Sequence, residues 1–131
     1  MKKLARWFLV LIAAIIIASI CLMAVVMYGV RDQVYQDSKA GLVFFRKAIQ
    51  AYAADSTKEN RTPVYPQSLN DLIQDNYLNR EDLRDFSFGM TISYSPPTLD
   101  SPDDFILLEG TTKDYALICP LKGAVINASK K

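Results

Sequence analysis

The chain has 131 residues, half of them hydrophobic, with 15 Lys and Arg against 14 Asp and Glu, a net charge of +1 and no histidine. The length allows one small domain beside any membrane segment. The missing histidine removes the commonest general base and metal ligand, and the near-neutral charge gives no basic footprint for nucleic acid.

Residues 7–30, WFLVLIAAIIIASICLMAVVMYGV, carry no charge. A membrane-spanning helix needs about 20 apolar residues, so this run spans a bilayer with room for tilt. Lys2, Lys3 and Arg6 precede it and no acid does, which places the N-terminal leader, residues 1–6, in the cytoplasm and residues 31–131 outside. Beyond those three cations the chain holds 12 Lys and Arg against 14 Asp and Glu, a balance of −2. The run exceeds the ~7–15 residues of a signal-peptide core and no small-x-small cleavage site ends it, so an uncleaved or pilin-type anchor is expected. Trp7 and Tyr28 fall near its two ends, where interfacial aromatics belong. Ala14, Ala18 and Ser19 are small enough to let helices approach closely. Cys21 lies in the run and Cys119 near the other end of the chain, so no intrachain disulfide is expected.

The helix is expected to continue through residues 31–55, which contain one Gly and no Pro. Tyr35, Ser38, Leu42, Phe45, Ile49 and Tyr52 recur in steps of three and four, one face of a helix and the core face for the rest of the domain. Gly41 costs about 1 kcal/mol relative to Ala and marks a bend. A polar stretch, residues 55–62, and Pro63-Val64-Tyr65-Pro66 follow as loop. Ser68 with Asp71 reads as a capping box for a short helix through Leu69, Leu72, Ile73 and Tyr77, and Asn79 caps another turn. Residues 86–131 read as an antiparallel sheet. Its strands are Met90–Tyr94, where Met90, Ile92 and Tyr94 alternate with polar residues, then Phe105–Leu108, Tyr115–Cys119 and Ala124–Asn127. The fold class is therefore α+β: a long N-terminal spine helix packed on a small antiparallel sheet.

The motif Ala48-Ile49-x-x-Tyr52-x-x-Asp55, then Tyr65-Pro66-x-x-Leu69-x-x-Leu72 and Tyr77-Leu78, resembles the type IV pilin-like proteins, and more closely the major pseudopilins of type II secretion. The resemblance implies a pilin-like fold in which Phe45, Ile49, Tyr52, Asp55, Tyr65, Pro66, Leu69 and Leu72 join helix to sheet. It implies a structural, non-enzymatic role at the inner membrane, with like subunits or secretion and pilus components as partners. The chain departs from the family at the processing site: no Gly precedes the apolar run, no acid occurs before Asp32, and the gap between Asp55 and Tyr65 is longer. The alternative is an uncleaved, anchored binding module that forms no filament.

Asp100, Asp103 and Asp104, with Glu109 nearby, cluster around a Pro-rich loop. Hard oxygen ligands in a loop suit calcium, and pseudopilins carry a calcium loop near their C-terminal sheet; the plain alternative is a solvated acidic loop. Calcium is the one candidate cofactor. No Gly-rich phosphate loop and no nucleophile elbow occurs, so neither an enzyme activity nor a small-molecule substrate is expected. Asn60-Arg61-Thr62 and Asn127-Ala128-Ser129 match the glycosylation acceptor pattern, which matters only in a eukaryotic secretory setting.

Overall fold

The computed structural model describes residues 2–60 and 62–128. Helix α1 runs without interruption from Lys2 to Asn60. The chain divides into two compact units, residues 1–35 and 36–131.

The first unit is helix alone. Its apolar side chains, from Leu4 to Val34, are exposed, and none of its hydrophobic span is buried within the protein. The helix is long and apolar enough to cross a membrane. An α-helix suits that solvent because its backbone groups pair internally. The one serine in the span, Ser19, donates its hydroxyl to the Ile15 carbonyl at 2.9 Å, so that group is satisfied within the helix.

The second unit is α+β. After α1 come two six-residue helices, α2 (Leu69–Gln74) and α3 (Arg80–Asp85). Four strands follow, β1 (Thr91–Tyr94), β2 (Ile106–Thr111), β3 (Ala116–Pro120) and β4 (Ile126–Asn127). They form an antiparallel meander in the order β1-β2-β3-β4. Ser38, Leu42, Phe45 and Ile49 of α1 are fully buried, with Tyr35 and Tyr52 half-buried at the ends of the stripe. Leu72, Leu107, Leu108, Leu117 and Cys119 complete the core. Each large apolar side chain buried in this way contributes about 1.5–3 kcal/mol.

The short helices begin as their sequences dictate. Asp71 Oδ2 accepts the Ser68 and Gln67 amides at 3.2 and 2.9 Å, and Asp82 Oδ2 accepts the Asn79 amide at 3.0 Å. These carboxylates satisfy amides that have no partner within the helix.

Three features differ from the sequence reading. Helix α1 does not end at Asp55 but continues to Asn60. Nothing between Asp55 and Pro63 breaks a helix. Ser56 and Thr57 bond back to the Ala53 carbonyl at 2.8 Å each, and Lys58 pairs with Asp55 at 3.9 Å. Strand β2 extends past Leu108 to Thr111, because Glu109, Gly110 and Thr111 pair with β1 on one side and β3 on the other. Its register shifts between Ile106 and Leu108, so Leu107 and Leu108 are both buried, which a strict period of two cannot produce.

Gly41 marks a close approach, since α1 continues through it without ending. A Cβ there would lie far inside contact distance of the Phe86 carbonyl oxygen and would press on the Phe88 ring at 3.3 Å. The turn that approaches it, residues 86–89, holds Phe88 at φ +50° and Gly89 at φ +76°. The Phe86 ring stacks on Phe44 at 4.2 Å. At Gly110 an added Cβ would meet the Met90 side chain, whose flexible end can move. Gly41→Ala is therefore expected to lower the melting temperature of the detergent-solubilised chain, read by near-UV circular dichroism, despite a gain of about 1 kcal/mol in helix propensity. Gly110→Ala is expected to lower it less.

Candidate functional site

Where α1 ends and the chain turns back toward the sheet, several polar and aromatic side chains come together. The returning chain is pinned by Ser56: the Val64 amide donates to Ser56 Oγ at 2.8 Å. Pro66 is buried, and its carbonyl accepts the Tyr94 hydroxyl at 2.7 Å, which ties β1 to the turn. Burial, followed by the nearby Tyr65, Asp71 and Tyr52, pushes the Tyr94 phenol well above its ordinary value.

Between α1 and the segment around α2 lies an open cleft of about 470 Å³. Tyr52, Asp55, Ser56 and Glu59 line it from α1, with Val64, Gln74, Asp75, Asn76 and Tyr77 opposite. The Tyr52 and Tyr77 rings meet edge to face at 5.3 Å. Tyr77 Oη donates to Asp55 Oδ2 at 2.6 Å, and Asn76 makes the sharp turn behind it at φ +64°. That bond to Asp55 is the chief reason the Tyr77 phenol is pushed up to about 12, with desolvation and the charges of Asp55, Asp75 and Glu59 adding. Desolvation and the carboxylates of Asp75 and Asp71 also raise Tyr52. Two carboxylates thus serve two phenols, and the cleft is a clasp between helix and loop.

Among the residues expected to join helix to sheet, Phe45, Ile49, Leu72 and Pro66 are buried. Tyr52, Tyr65 and Leu69 are half-buried, and Asp55 is exposed with its carboxylate engaged by Tyr77 and Lys58. Leu69 lines a second, smaller apolar depression of about 200 Å³ with Leu83, Ser87, Met90 and Ile92. Tyr77, read as part of the second helix, lies beyond its end at Gln74 and faces Asp55 instead.

Asp100, Asp103, Asp104 and Glu109 are all exposed. Asp103 pairs with Lys122 at 3.5 Å, and Glu109 stands on β2 opposite Ser93 and Ile118. Among the described residues no three His, Cys, Asp or Glu side chains converge as a metal set. Both glycosylation sequons include a residue outside the described set, Arg61 in one and Ser129 in the other.

Sequence reasoning missed a second attachment of α1. Arg46 Nη1 donates to the carbonyls of Pro120, at 3.0 Å, and Gly123, and Gln50 Nε2 to that of Leu121 at 3.3 Å. One guanidinium thereby holds the turn between β3 and β4. Cys119 is buried beneath it, its Sγ 3.9 Å from the Leu42 carbonyl. Burial raises the thiol and the Arg46 charge offsets part of that rise. A basic residue beside the buried stripe was the only signal, and charged residues on helices usually face water.

Comparison with protein families, with curated proteins and with solved structures finds no match for this chain.

Two outcomes are expected from this geometry. Because Tyr77 titrates higher in the folded chain than in the unfolded one, its contribution to stability is present below about pH 10 and is lost as the pH rises through about 12. Asp55→Asn should bring the Tyr77 titration back toward 10, read by ultraviolet difference absorbance. Calcium in excess, or a chelator, should leave the melting temperature unchanged; a rise of several degrees with calcium would place a cation on the loop of residues 98–104.

Proposed function

We propose that this is a non-enzymatic, single-pass membrane protein whose second unit is a pseudopilin-like extracytoplasmic domain. It assembles with like subunits or with components of a type II secretion or type IV pilus machine in the inner membrane. The observation that carries the reading is the use made of α1. Its first part exposes an unbroken apolar surface fit for lipid, and its later part supplies the wall of a small antiparallel sheet. The motif from Ala48 to Leu78 adds the resemblance. The cations of the leader, Lys2, Lys3 and Arg6, support an orientation that puts the second unit on the extracytoplasmic, periplasmic side.

In this role the protein works through surfaces. The helix holds the domain at the membrane, the Tyr52–Tyr77 and Arg46 attachments keep the helix and the rest of the domain in one geometry, and contacts between copies or partners carry the function.

A second reading has its own support. The apolar run lacks the acid by which pilin-like subunits are expected to pair with a neighbour's N-terminus, and Asp32 is the first acid in the chain. A monomeric, anchored binding module fits that feature. Native mass spectrometry of the chain extracted in mild detergent separates the two. Species larger than one chain that grow with concentration support assembly, and a concentration-independent monomer supports the binding module. Protease added to spheroplasts, whose outer membrane has been opened, is expected to digest the second unit; full protection there would reverse the orientation.

A further inference from the structure

The sheet of the second unit ends on one side at β1, the outermost strand in the order β1-β2-β3-β4. The ladder fixes which backbone groups of that strand are left over. The Ser95 amide donates to the Leu107 carbonyl at 3.0 Å, one step beyond the Tyr94–Leu108 pair. In an antiparallel ladder, opposed pairs alternate between bonded and unbonded. Ser93–Glu109 and Thr91–Thr111 are therefore bonded pairs, and Ile92 and Tyr94 turn their N–H and C=O groups away from β2. Among the described residues these backbone groups take no partner on that side; Tyr94 reaches Pro66 through its hydroxyl instead.

Sheet edges are commonly blunted by a charge, a proline or a bulge. β1 carries none of these from Thr91 to Tyr94, and its register with β2 runs without a shift. Beside it lies the apolar depression of about 200 Å³ lined by Leu69, Leu83, Ser87, Met90 and Ile92. Ile92 belongs to both features: its side chain lines the depression, and its amide and carbonyl face outward. Two donors and two acceptors at a two-residue spacing match the backbone of an extended chain. A strand added there turns alternate side chains to the face where the depression lies. No charged side chain lines that depression, so it takes an aliphatic one.

Antiparallel pairing of β1 with β1 of a second copy would turn one domain over about an axis normal to the sheet. That reverses the stretch of α1 packed against the sheet, whereas copies inserted in one membrane with one orientation carry α1 in one direction. We propose that the outer edge of β1, with the depression beside Ile92, is a docking site for an extended segment of a partner protein. The segment alternates aliphatic and uncharged polar residues, pairs with Ile92 and Tyr94 through its backbone and places an aliphatic side chain in the depression. The site does not depend on self-assembly, since a monomeric chain has the same edge.

The test uses the full chain in detergent, with Ser93→Cys in a Cys21→Ala background; Ser93 is exposed and Cys119 is buried. At Ser93 an added strand comes closest, about 4.5 Å between Cα atoms, which a disulfide spans. The probe is the peptide acetyl-Thr-Leu-Cys-Leu-Thr-amide, equilibrated with the chain in a thiol–disulfide buffer. Intact mass reads the exchange constant of the peptide-linked chain. Methylating the amide nitrogens of both leucines removes the donors aimed at Ile92 and Tyr94 and should lower the constant roughly tenfold, the scale of one to two net hydrogen bonds. Methylating the cysteine amide, which points away from β1, should leave it unchanged. Serine in place of both leucines should lower it as well. Every arm uses the same variant, so the comparison is between peptides. A constant that ignores leucine methylation or the serine exchange, or that falls as far with the cysteine methyl, would overturn the proposal. Chains linked to one another at position 93 in preference to the peptide would give the edge to a second copy and overturn it too.

Discussion

The buried stripe of α1 is the constraint on which the second unit depends. A four-stranded meander with a two-residue last strand cannot enclose a core by itself, and a domain of this size has little apolar surface to spare. Ser38, Leu42, Phe45 and Ile49 supply the missing wall. Among the described residues Ser38 is the one buried polar side chain, and its hydroxyl is 2.8 Å from the Tyr115 hydroxyl, so its burial leaves no orphaned group.

Three attachments then fix the helix against what it supports. Gly41 lets the backbone at Phe86 come close enough for the Phe44–Phe86 stack to form. Arg46 and Gln50 hold the carbonyls of residues 120–123. Tyr77 reaches back to Asp55, and Ser56 anchors Val64. They occur in sequence along the helix, so the whole length from Ser38 to Ser56 is used. Most of the hydrogen bonds involved run between a side chain and a backbone carbonyl or amide far from it in sequence or across a turn.

The same economy bears on function. Asp55 and Asp75 of the cleft are engaged with the tyrosines that close it, and the acids of the loop of residues 98–104 face solvent, with no metal set formed among the described residues. The apolar helix of the first unit is long enough to cross a membrane and fits association with one.

The sequence by itself determined the elements that follow from local rules. An uncharged run of 24 residues can only be a lipid-facing or deeply buried helix. The three-and-four spacing from Ser38 to Ile49 marks the buried face, the Ser68–Asp71 and Asn79–Asp82 pairs mark two helix starts, and the alternation at Met90–Tyr94 marks a strand. Tertiary structure decided the rest. Glu109, Gly110 and Thr111 join β2 because two neighbouring strands pair with them, and Gly110 leaves room for Met90 and Leu42. Gly41 looks locally like a weak point in a helix, and only the position of Phe86 shows why a side chain cannot stand there. The partners of Arg46 and Tyr77 lie 74 and 22 residues away along the chain, and no local pattern encodes a contact between segments so far apart.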